Sequence, residues 1–210
     1  MKNLTDITII LDRSGSMFTI KSATIEGFNS FINKQQKGDF DVNLTFVQFD
    51  NEYEKVYEQK EMKTVKYLNH ETYIPRGTTA LLDAIGITIK STKKRIDTTE
   101  KSKKPANVII AIITDGYENA SVEYSREAIS KMIHKREKKD NWNFIFLAAN
   151  QDAIKEGGRF GIHSNKALTF KSNREGVENA FKSMSKICYS LSDDSTSEIK
   201  FSDKDRMKQK

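Results

Sequence analysis

The feature that most constrains the fold is a short apolar run that stops on a carboxylate. Residues 7–11 are apolar except for one threonine and are mostly β-branched, which is typical of a strand buried on both faces of a parallel sheet. Asp12 follows directly, and from Ile20 the apolar residues change to helical spacing. Residues 12–17 therefore form the turn between a strand and a helix, and ligands bind at this edge of open α/β sheets.

This turn carries oxygen atoms of the kind that hard cations bind. Asp12 contributes a carboxylate, Ser14 and Ser16 contribute hydroxyls, and Gly15 allows the backbone to turn tightly. Such oxygens suit Mg²⁺, Mn²⁺ or Ca²⁺. Taken alone, the pattern fits equally well a turn in which Asp or Ser side chains cap the following helix.

Two distant segments favour the metal site over the simple turn. Residues 107–114 form a second buried-strand run, and Asp115 follows it directly. Carboxylates at the same end of two parallel strands can meet. Between the two strands in sequence, the loop 75–80 precedes an apolar-striped helix and offers the hydroxyls of Thr78 and Thr79. One further oxygen ligand is thus available.

The three motifs together resemble the von Willebrand factor A domain and its metal-ion-dependent adhesion site (MIDAS). The chain has Asp-x-Ser-x-Ser, then Gly-x-Thr before a helix, then Thr-Asp-Gly after a strand, over about residues 4–191. Carried over position by position, the resemblance assigns five metal-site residues: Asp12, Ser14, Ser16, Thr79 and Asp115. Thr79 is preferred because Ala84 and Ile85 follow it at the family's spacing, while Thr78 stays open as the alternative.

The resemblance implies a Rossmann-like, three-layer α/β/α fold with a doubly wound, mainly parallel sheet and one antiparallel edge strand. The sequence pattern is consistent with this fold, because predicted strands and helices alternate. The turn 50–52 is too short to join parallel strands, which predicts the antiparallel pair. Residues 1–191 are expected to form the domain, and the polar residues 192–210 a disordered tail. The segment 144–153 is similar to the version in bacterial and phage-encoded members.

Hydrophobic periodicity places the remaining elements of the second half. It predicts an amphipathic helix from Val122 to Ile133, strands at 143–148 and 167–170, and a final helix at 174–191. A short helix before the strand at 167–170 is expected to stop at Gly157 and Gly158.

The resemblance also implies a function. In the family, the serines and the threonine contact the cation directly, the aspartates act largely through water, and one coordination position stays open for a carboxylate of a bound protein. This implies a non-catalytic, divalent-cation-dependent protein-binding module, with Mg²⁺ favoured over Mn²⁺ or Ca²⁺ and a partner protein that offers Asp or Glu. Arg13 and Tyr117 are candidates for the rim of the site. A switch through the last helix is a family property that the residues alone do not demonstrate.

Two other functions are weighed against this one. A metal-assisted phosphohydrolase also begins with an aspartate after its first strand, but its general acid is a second aspartate two residues later, where this chain has Ser14. The sequence also lacks the Gly-x-Ser-x-Gly, Gly-x-x-x-x-Gly-Lys and Gly-x-Gly-x-x-Gly motifs. The third possibility is a scaffold subunit with an unused metal site.

Composition limits the location and the class of partner. A lone Cys188, no secretory segment and no apolar run that could span a bilayer predict a cytoplasmic protein without a membrane span. The net charge is +6, and basic residues cluster at 90–104 and 131–139. Because no aromatic residues are interleaved for base stacking, we interpret these clusters as solvated helix ends, and nucleic acid is not the expected partner.

Overall fold

The structure is a computed structural model that describes residues 3–149, 152–193 and 198–209. Its strands are β1 (Thr5–Asp12), β2 (Val42–Phe49), β3 (Tyr53–Glu61), β4 (Asn107–Thr114), β5 (Asn143–Ala149) and β6 (Ala167–Phe170). Its helices are α1 (Lys21–Gln36), α2 (Leu81–Thr98), α3 (Arg126–Asp140), α4 (Ala153–Arg159), α5 (Arg174–Ser192) and α6 (Asp203–Met207). Four 3-10 segments connect them, at Gly15–Ile20, Met62–Thr64, Lys101–Lys103 and Ser164–Lys166.

The strands form one six-stranded sheet in the order β3-β2-β1-β4-β5-β6. All neighbouring pairs are parallel except β2 and β3, which are antiparallel at the edge. The predicted fold class is therefore confirmed. Strand β1 lies between β2 and β4. The chain therefore adds β2 and β3 on one side of β1 and the later strands on the other side. The carboxyl end of β1 is the switch point at which open α/β sheets bind ligands.

Helices cover both faces of the sheet, and β1 is buried along its whole length. Ile7, Ile9 and Leu11 face one apolar cluster, which α1 and α5 complete. Ile10 faces the other cluster, to which α2 and α3 contribute. Burial on both faces explains why the run has no polar alternation, and it fixes the position of Asp12 at the strand's end.

Two element boundaries differ from the predictions. Helix α3 begins at Arg126, because the Ser125 hydroxyl caps it by accepting a hydrogen bond from the Ala128 N–H, and Val122 instead lies on the preceding loop with 90% of its surface exposed. Helix α4 also runs through Gly157 rather than stopping there. A Cβ atom on Gly157 would touch Phe146 at 3.4 Å, so packing against the sheet sustains the helix despite the weak propensity of glycine.

The carboxyl-terminal segment is more ordered than its composition predicts. In the described part, residues 198–209, Ile199 and Phe201 are buried in the cluster beneath α5. Helix α6 follows with a capping box between Ser202 and Asp205. Arg206 donates hydrogen bonds to backbone carbonyls at residues 164 and 167. The prediction of a disordered tail rested on the polar composition of the whole segment and did not take these two apolar residues into account.

One segment singled out in the sequence is described only in part. Asn150 and Gln151, within the segment that is similar to bacterial and phage-encoded members, lie outside the described residues.

Over the described ranges, no helix combines the length and the apolar character needed to cross a membrane. Cys188 is fully buried in α5, and burial raises the pKa of its thiol to about 12.

Candidate metal centre

Asp12 is fixed by hydrogen bonds to both of its carboxylate oxygens. Oδ1 accepts a hydrogen bond from the Ser14 N–H at 2.6 Å, and Oδ2 accepts one from the Thr114 hydroxyl at 2.5 Å. The parallel register of β1 and β4, which pairs Leu11 with Ile113, places Thr114 beside Asp12. The side chain of Asp12 is thus held at the carboxyl edge of the sheet without contact with solvent.

Ser14, Ser16 and Asp115 form a second set of contacts at the same edge. The hydroxyl oxygens of Ser14 and Ser16 lie 3.2 Å apart. The Ser16 hydroxyl donates a hydrogen bond to Asp115 Oδ1 at 2.5 Å. A 3-10 helix that begins at Gly15 turns the chain back here, so that residues 99 positions apart in sequence meet.

Thr79 completes the cluster, and its neighbour Thr78 does not. Thr79 is buried whereas Thr78 is exposed. A Cβ atom on Gly116 would lie 3.2 Å from Thr79 Oγ1, 3.4 Å from Ser16 Oγ and 3.8 Å from Ser14 Oγ. Three hydroxyls from two separate loops therefore face one small space. This space stays open because the side chain of Gly116 is only a hydrogen atom.

The centre is electrostatically negative. Burial raises the pKa of the Asp12 carboxyl to about 6, against the lowering effect of hydrogen bonds from Thr114 and Ser14 and with a small further rise from the charge of Asp115. Burial likewise raises the pKa of the Asp115 carboxyl, although its hydrogen bond from Ser16 opposes the rise. Among the described residues, no lysine or arginine forms an ion pair with either carboxylate.

These residues fit a hard divalent cation. Two carboxylates that lack a cationic side chain, together with three hydroxyls facing one space, are the oxygen donors that Mg²⁺, Mn²⁺ and Ca²⁺ accept. The described part of the chain contains no group of three or more His, Cys, Asp or Glu residues that could hold a metal. Ligation by the serine and threonine hydroxyls, which the sequence analysis expects, stays a prediction.

Three supporting residues escaped the sequence analysis. The Tyr73 hydroxyl is fully buried and donates a 2.6 Å hydrogen bond to the Asp12 carbonyl. Asn119 Oδ1 accepts a 2.9 Å hydrogen bond from the Thr79 N–H, and the Thr79 carbonyl accepts the Asn119 N–H at 3.0 Å. Thr114 stands in the Thr-Asp-Gly motif and could have been suspected. The loop positions of Tyr73 and Asn119 carry no spacing signal.

Asp50 organises the loop that brings Thr79 to the site. Its carboxylate Oδ2 accepts hydrogen bonds from Arg13 Nε at 3.0 Å and from Arg76 Nε at 2.9 Å. Its backbone carbonyl accepts the Ala80 N–H at 2.8 Å. Arg13, which was a candidate for the rim, is instead buried in this ion-pair network. The β2–β3 turn is therefore also part of the scaffold of the site.

Replacement of Asp50 by asparagine should destabilise the fold by about 2 kcal/mol, because charge-assisted hydrogen bonds to two arginines are lost while Arg13 remains buried. Urea unfolding measures this loss. Burial raises the pKa of the Asp50 carboxyl, but hydrogen bonds from Arg76 and the Glu52 N–H and the charges of both arginines outweigh it, so the net pKa lies below 3.8. The difference between the two proteins should therefore be present at pH 7 and should shrink as the pH falls below 3.8.

The matched control is Asp41→Asn, at an exposed position, which should change stability little. An Asp50→Asn loss no greater than that of the control would contradict the role assigned to Asp50.

Exposed apolar side chains lie around the same edge of the sheet. Phe18 follows Ser16 by two residues and is 70% exposed, and Tyr117 follows Asp115 by two residues and is 59% exposed. Val122 lies on the loop that Asp83 anchors at the start of α2. We call Phe18, Tyr117 and Val122 the apolar rim. Large apolar side chains concentrated beside a polar site indicate a contact surface.

The chain matches a known protein family. A family model described as the von Willebrand factor type A domain matches residues 6–185. No curated protein sequence matches the chain.

Solved structures share the fold at low sequence identity. A von Willebrand factor type A protein from Catenulispora acidiphila matches with a TM-score of 0.59 and 14% identity, over 90% of this chain and 43% of that one. Proximal thread matrix protein 1 from the mussel byssus, solved with a zinc-occupied MIDAS motif, matches with a TM-score of 0.59 and 15% identity, over 90% and 46% of the two chains.

The vWF domain of the type V pili tip protein Mfa5 from Porphyromonas gingivalis matches with a TM-score of 0.63 and 9% identity, over 97% and 99% of the two chains. The chain spans less than half the length of the first two proteins. Identities this low establish a shared fold and leave the activity to be argued from the site.

Proposed function

The chain belongs to the von Willebrand factor type A domain family, and on that premise we propose that it is a non-catalytic protein-binding module that depends on a divalent cation. The observation that carries the proposal is the convergence of the Ser14, Ser16 and Thr79 hydroxyls on one space beside Gly116. Asp12 and Asp115 border these hydroxyls and supply negative charge.

We assign the five residues distinct parts in holding the cation. Ser14, Ser16 and Thr79 would bind it directly, while Asp12 and Asp115 would act through water and through hydrogen bonds to the hydroxyls. Neutral hydroxyls leave most of the positive charge unneutralised, so the bound cation supplies an attraction for an anionic ligand from outside. Mg²⁺ is the proposed occupant, since it keeps several waters that a carboxylate can replace.

The proposed ligand is an Asp or Glu side chain of a partner protein, flanked by apolar residues. The carboxylate would face the cation, and the apolar rim would cover the partner's side chains around it. Burial of aromatic side chains at the centre of an interface contributes much of its binding free energy. The rim thus favours a protein surface over a small anion in solution.

The geometry of the metal centre gives little support to the alternative function, a metal-assisted phosphohydrolase. The place of that enzyme's proton donor is occupied by Ser14, whose hydroxyl lies beside that of Ser16. A serine hydroxyl is a far weaker acid than the carboxylic acid that donates the proton in such enzymes, so Ser14 does not replace it as general acid.

Affinity capture from a lysate, with the native chain as bait, tests the proposal. Partners should be retained in Mg²⁺, released by chelator, and absent when the bait is Ser16→Ala or carries Phe18→Ser with Tyr117→Ser. The double rim variant should still bind Mg²⁺ in calorimetry, which separates loss of the partner surface from loss of the metal. Partners that are retained equally in chelator would contradict the proposal and favour a scaffold with an unused site.

A further inference from the structure

The two basic segments of the sequence meet in one groove between α2 and α3. Both helices cover the same face of the sheet and both run from the carboxyl edge of the strands to the amino edge. The groove has a volume of ≈ 530 Å³, which lies within the range of about 300–1,000 Å³ that is usual for ligand sites. Five of its nine lining residues are Lys or Arg, and one, Asp97, is acidic.

The floor of the groove is apolar. Met132 is partly exposed and packs against the apolar cluster of this face, and Ile89, only 3% exposed, lies at the base of the groove as a buried member of that cluster. On α2 the lining extends from Ile89 to Thr98, which at a rise of 1.5 Å per residue is a length of about 14 Å. The groove can therefore hold between two and three turns of a helix that presents an apolar stripe.

The charges of the groove divide into an inner paired set and an outer unpaired set. Lys93 contacts Asp97 and lies 3.8 Å from Asp140, and Arg136 contacts Asp140 at 2.7 Å. The contact between Lys93 and Asp140 joins the two helices, and the two positive and two negative charges of this set neutralise one another. Among the described residues, no carboxylate forms an ion pair with Lys94 or with Lys135, one on each bank, and both are exposed.

Lys90 adds a third positive charge at the upper end of the groove, where its ammonium lies 4.8 Å from the centre of the Tyr124 ring. Since the inner pairs cancel, the banks carry a net positive charge on either side of the apolar floor. Lysine stems can also pack against an apolar ligand while their ammonium groups stay in water.

We propose that this groove, which we call the α2–α3 groove, binds an acidic amphipathic helix of a partner protein. The apolar stripe of that helix would lie on Met132 and on the apolar stems of the lysines, and its Asp or Glu residues would face Lys94 and Lys135. A nucleic acid fits less well, because its phosphates would meet the lysines but leave the apolar floor without a partner. The ring of Tyr124, beside the groove, has Lys90 over it and lies against Gly86, so it is poorly placed for base stacking.

The groove is separate from the metal centre. It occupies the later turns of α2, whereas Thr79 precedes the first turn. Binding in the groove should therefore be indifferent to chelator, and its test does not depend on the proposed metal-dependent function.

Fluorescence anisotropy with a stapled helical peptide tests the proposal. The probe has about four turns, with leucines on one face and glutamates on both flanks, and the control peptide carries glutamine in place of glutamate. We expect roughly micromolar binding of the acidic peptide. Lys94→Glu with Lys135→Glu should weaken it about tenfold, since two attractions become repulsions. The matched control is Lys63→Glu with Lys66→Glu, which makes the same change in net charge at exposed positions elsewhere and should change binding less than about twofold.

A second variant tests the floor. Met132→Gln should weaken the acidic peptide without a change in net charge, whereas a purely electrostatic surface would be unaffected. Three results would overturn the proposal: no binding of the acidic peptide up to about millimolar concentration, equal loss in the two lysine pairs, or tighter binding of a DNA duplex of about 20 base pairs that the same groove variant abolishes.

Discussion

Replacement of Asp12 by asparagine should lower the affinity for Mg²⁺ by on the order of a thousandfold, or about 4 kcal/mol. Asparagine has nearly the same shape, and its side-chain oxygen can still accept the hydrogen bond from the Ser14 N–H. What it removes is a negative charge buried beside the three hydroxyls. Because Asp12 itself is fully buried, loss of its charge weakens the attraction for a dication more than loss of an exposed charge would. Isothermal titration calorimetry measures the change.

The same substitution should leave the metal-free fold at least as stable as the native one at neutral pH. Burial raises the folded-state pKa of Asp12 from 3.8 to about 6, so its contribution to stability is present below pH 3.8 and is lost as the pH rises through about 6. At pH 7 the ionised carboxylate therefore costs stability until a cation neutralises it. Loss of metal affinity without loss of thermal stability in chelator is the expected combination.

Asp6→Asn is the matched control, because Asp6 is also a buried aspartate of β1 but lies at the opposite end and pairs with Arg95. Mg²⁺ affinity should be unchanged in that variant. If the two substitutions reduced affinity equally, the effect would lie in the fold and the assignment of Asp12 to the metal centre would be wrong.

Replacement of Gly116 by alanine should abolish cation binding for a steric reason. The added methyl carbon would lie 3.2–3.8 Å from the hydroxyl oxygens of Thr79, Ser16 and Ser14, in the space that a shared ion needs. The nearest atoms to it belong to side chains rather than to the backbone, so the fold should persist with a loss of about 1 kcal/mol or less. Calorimetry should detect no Mg²⁺ binding at concentrations that saturate the native chain.

Gly158→Ala provides the control, since a Cβ atom there would meet nothing within 4 Å and alanine favours the helix in which Gly158 lies. That variant should bind Mg²⁺ as the native chain does and should be slightly more stable. Unchanged Mg²⁺ affinity in Gly116→Ala, with its fold verified by thermal unfolding, would show that the three hydroxyls do not hold the ion.

The sequence predicts the frame of the molecule well because buried parallel strands leave a strong local signal. The apolar runs before Asp12 and Asp115 can be recognised without tertiary information, and their carboxyl ends fix where the two aspartates lie. The choice of Thr79 over Thr78 needed the family's spacing, and the burial of Thr79 agrees with it. Metal ligation by these residues remains a prediction.

The rest could not be predicted because it depends on contacts between distant loops. Asp50 reads in sequence as a turn residue, and only the folded chain shows that its carboxylate joins Arg13 to Arg76. The α2–α3 groove has the same origin, since each basic segment alone resembles a solvated helix end. Ile199 and Phe201 show the converse case, in which two apolar residues anchor a segment whose average composition predicts disorder.

The most direct test of the account is the anomalous difference map of crystals of the native chain grown in Mn²⁺, which scatters anomalously and accepts the same oxygen ligands as Mg²⁺. The account predicts one strong peak at the carboxyl edge of the sheet, bonded to Ser14 Oγ, Ser16 Oγ and Thr79 Oγ1. A map with no peak between these three hydroxyls, at a Mn²⁺ concentration that saturates any binding seen in solution, would contradict it.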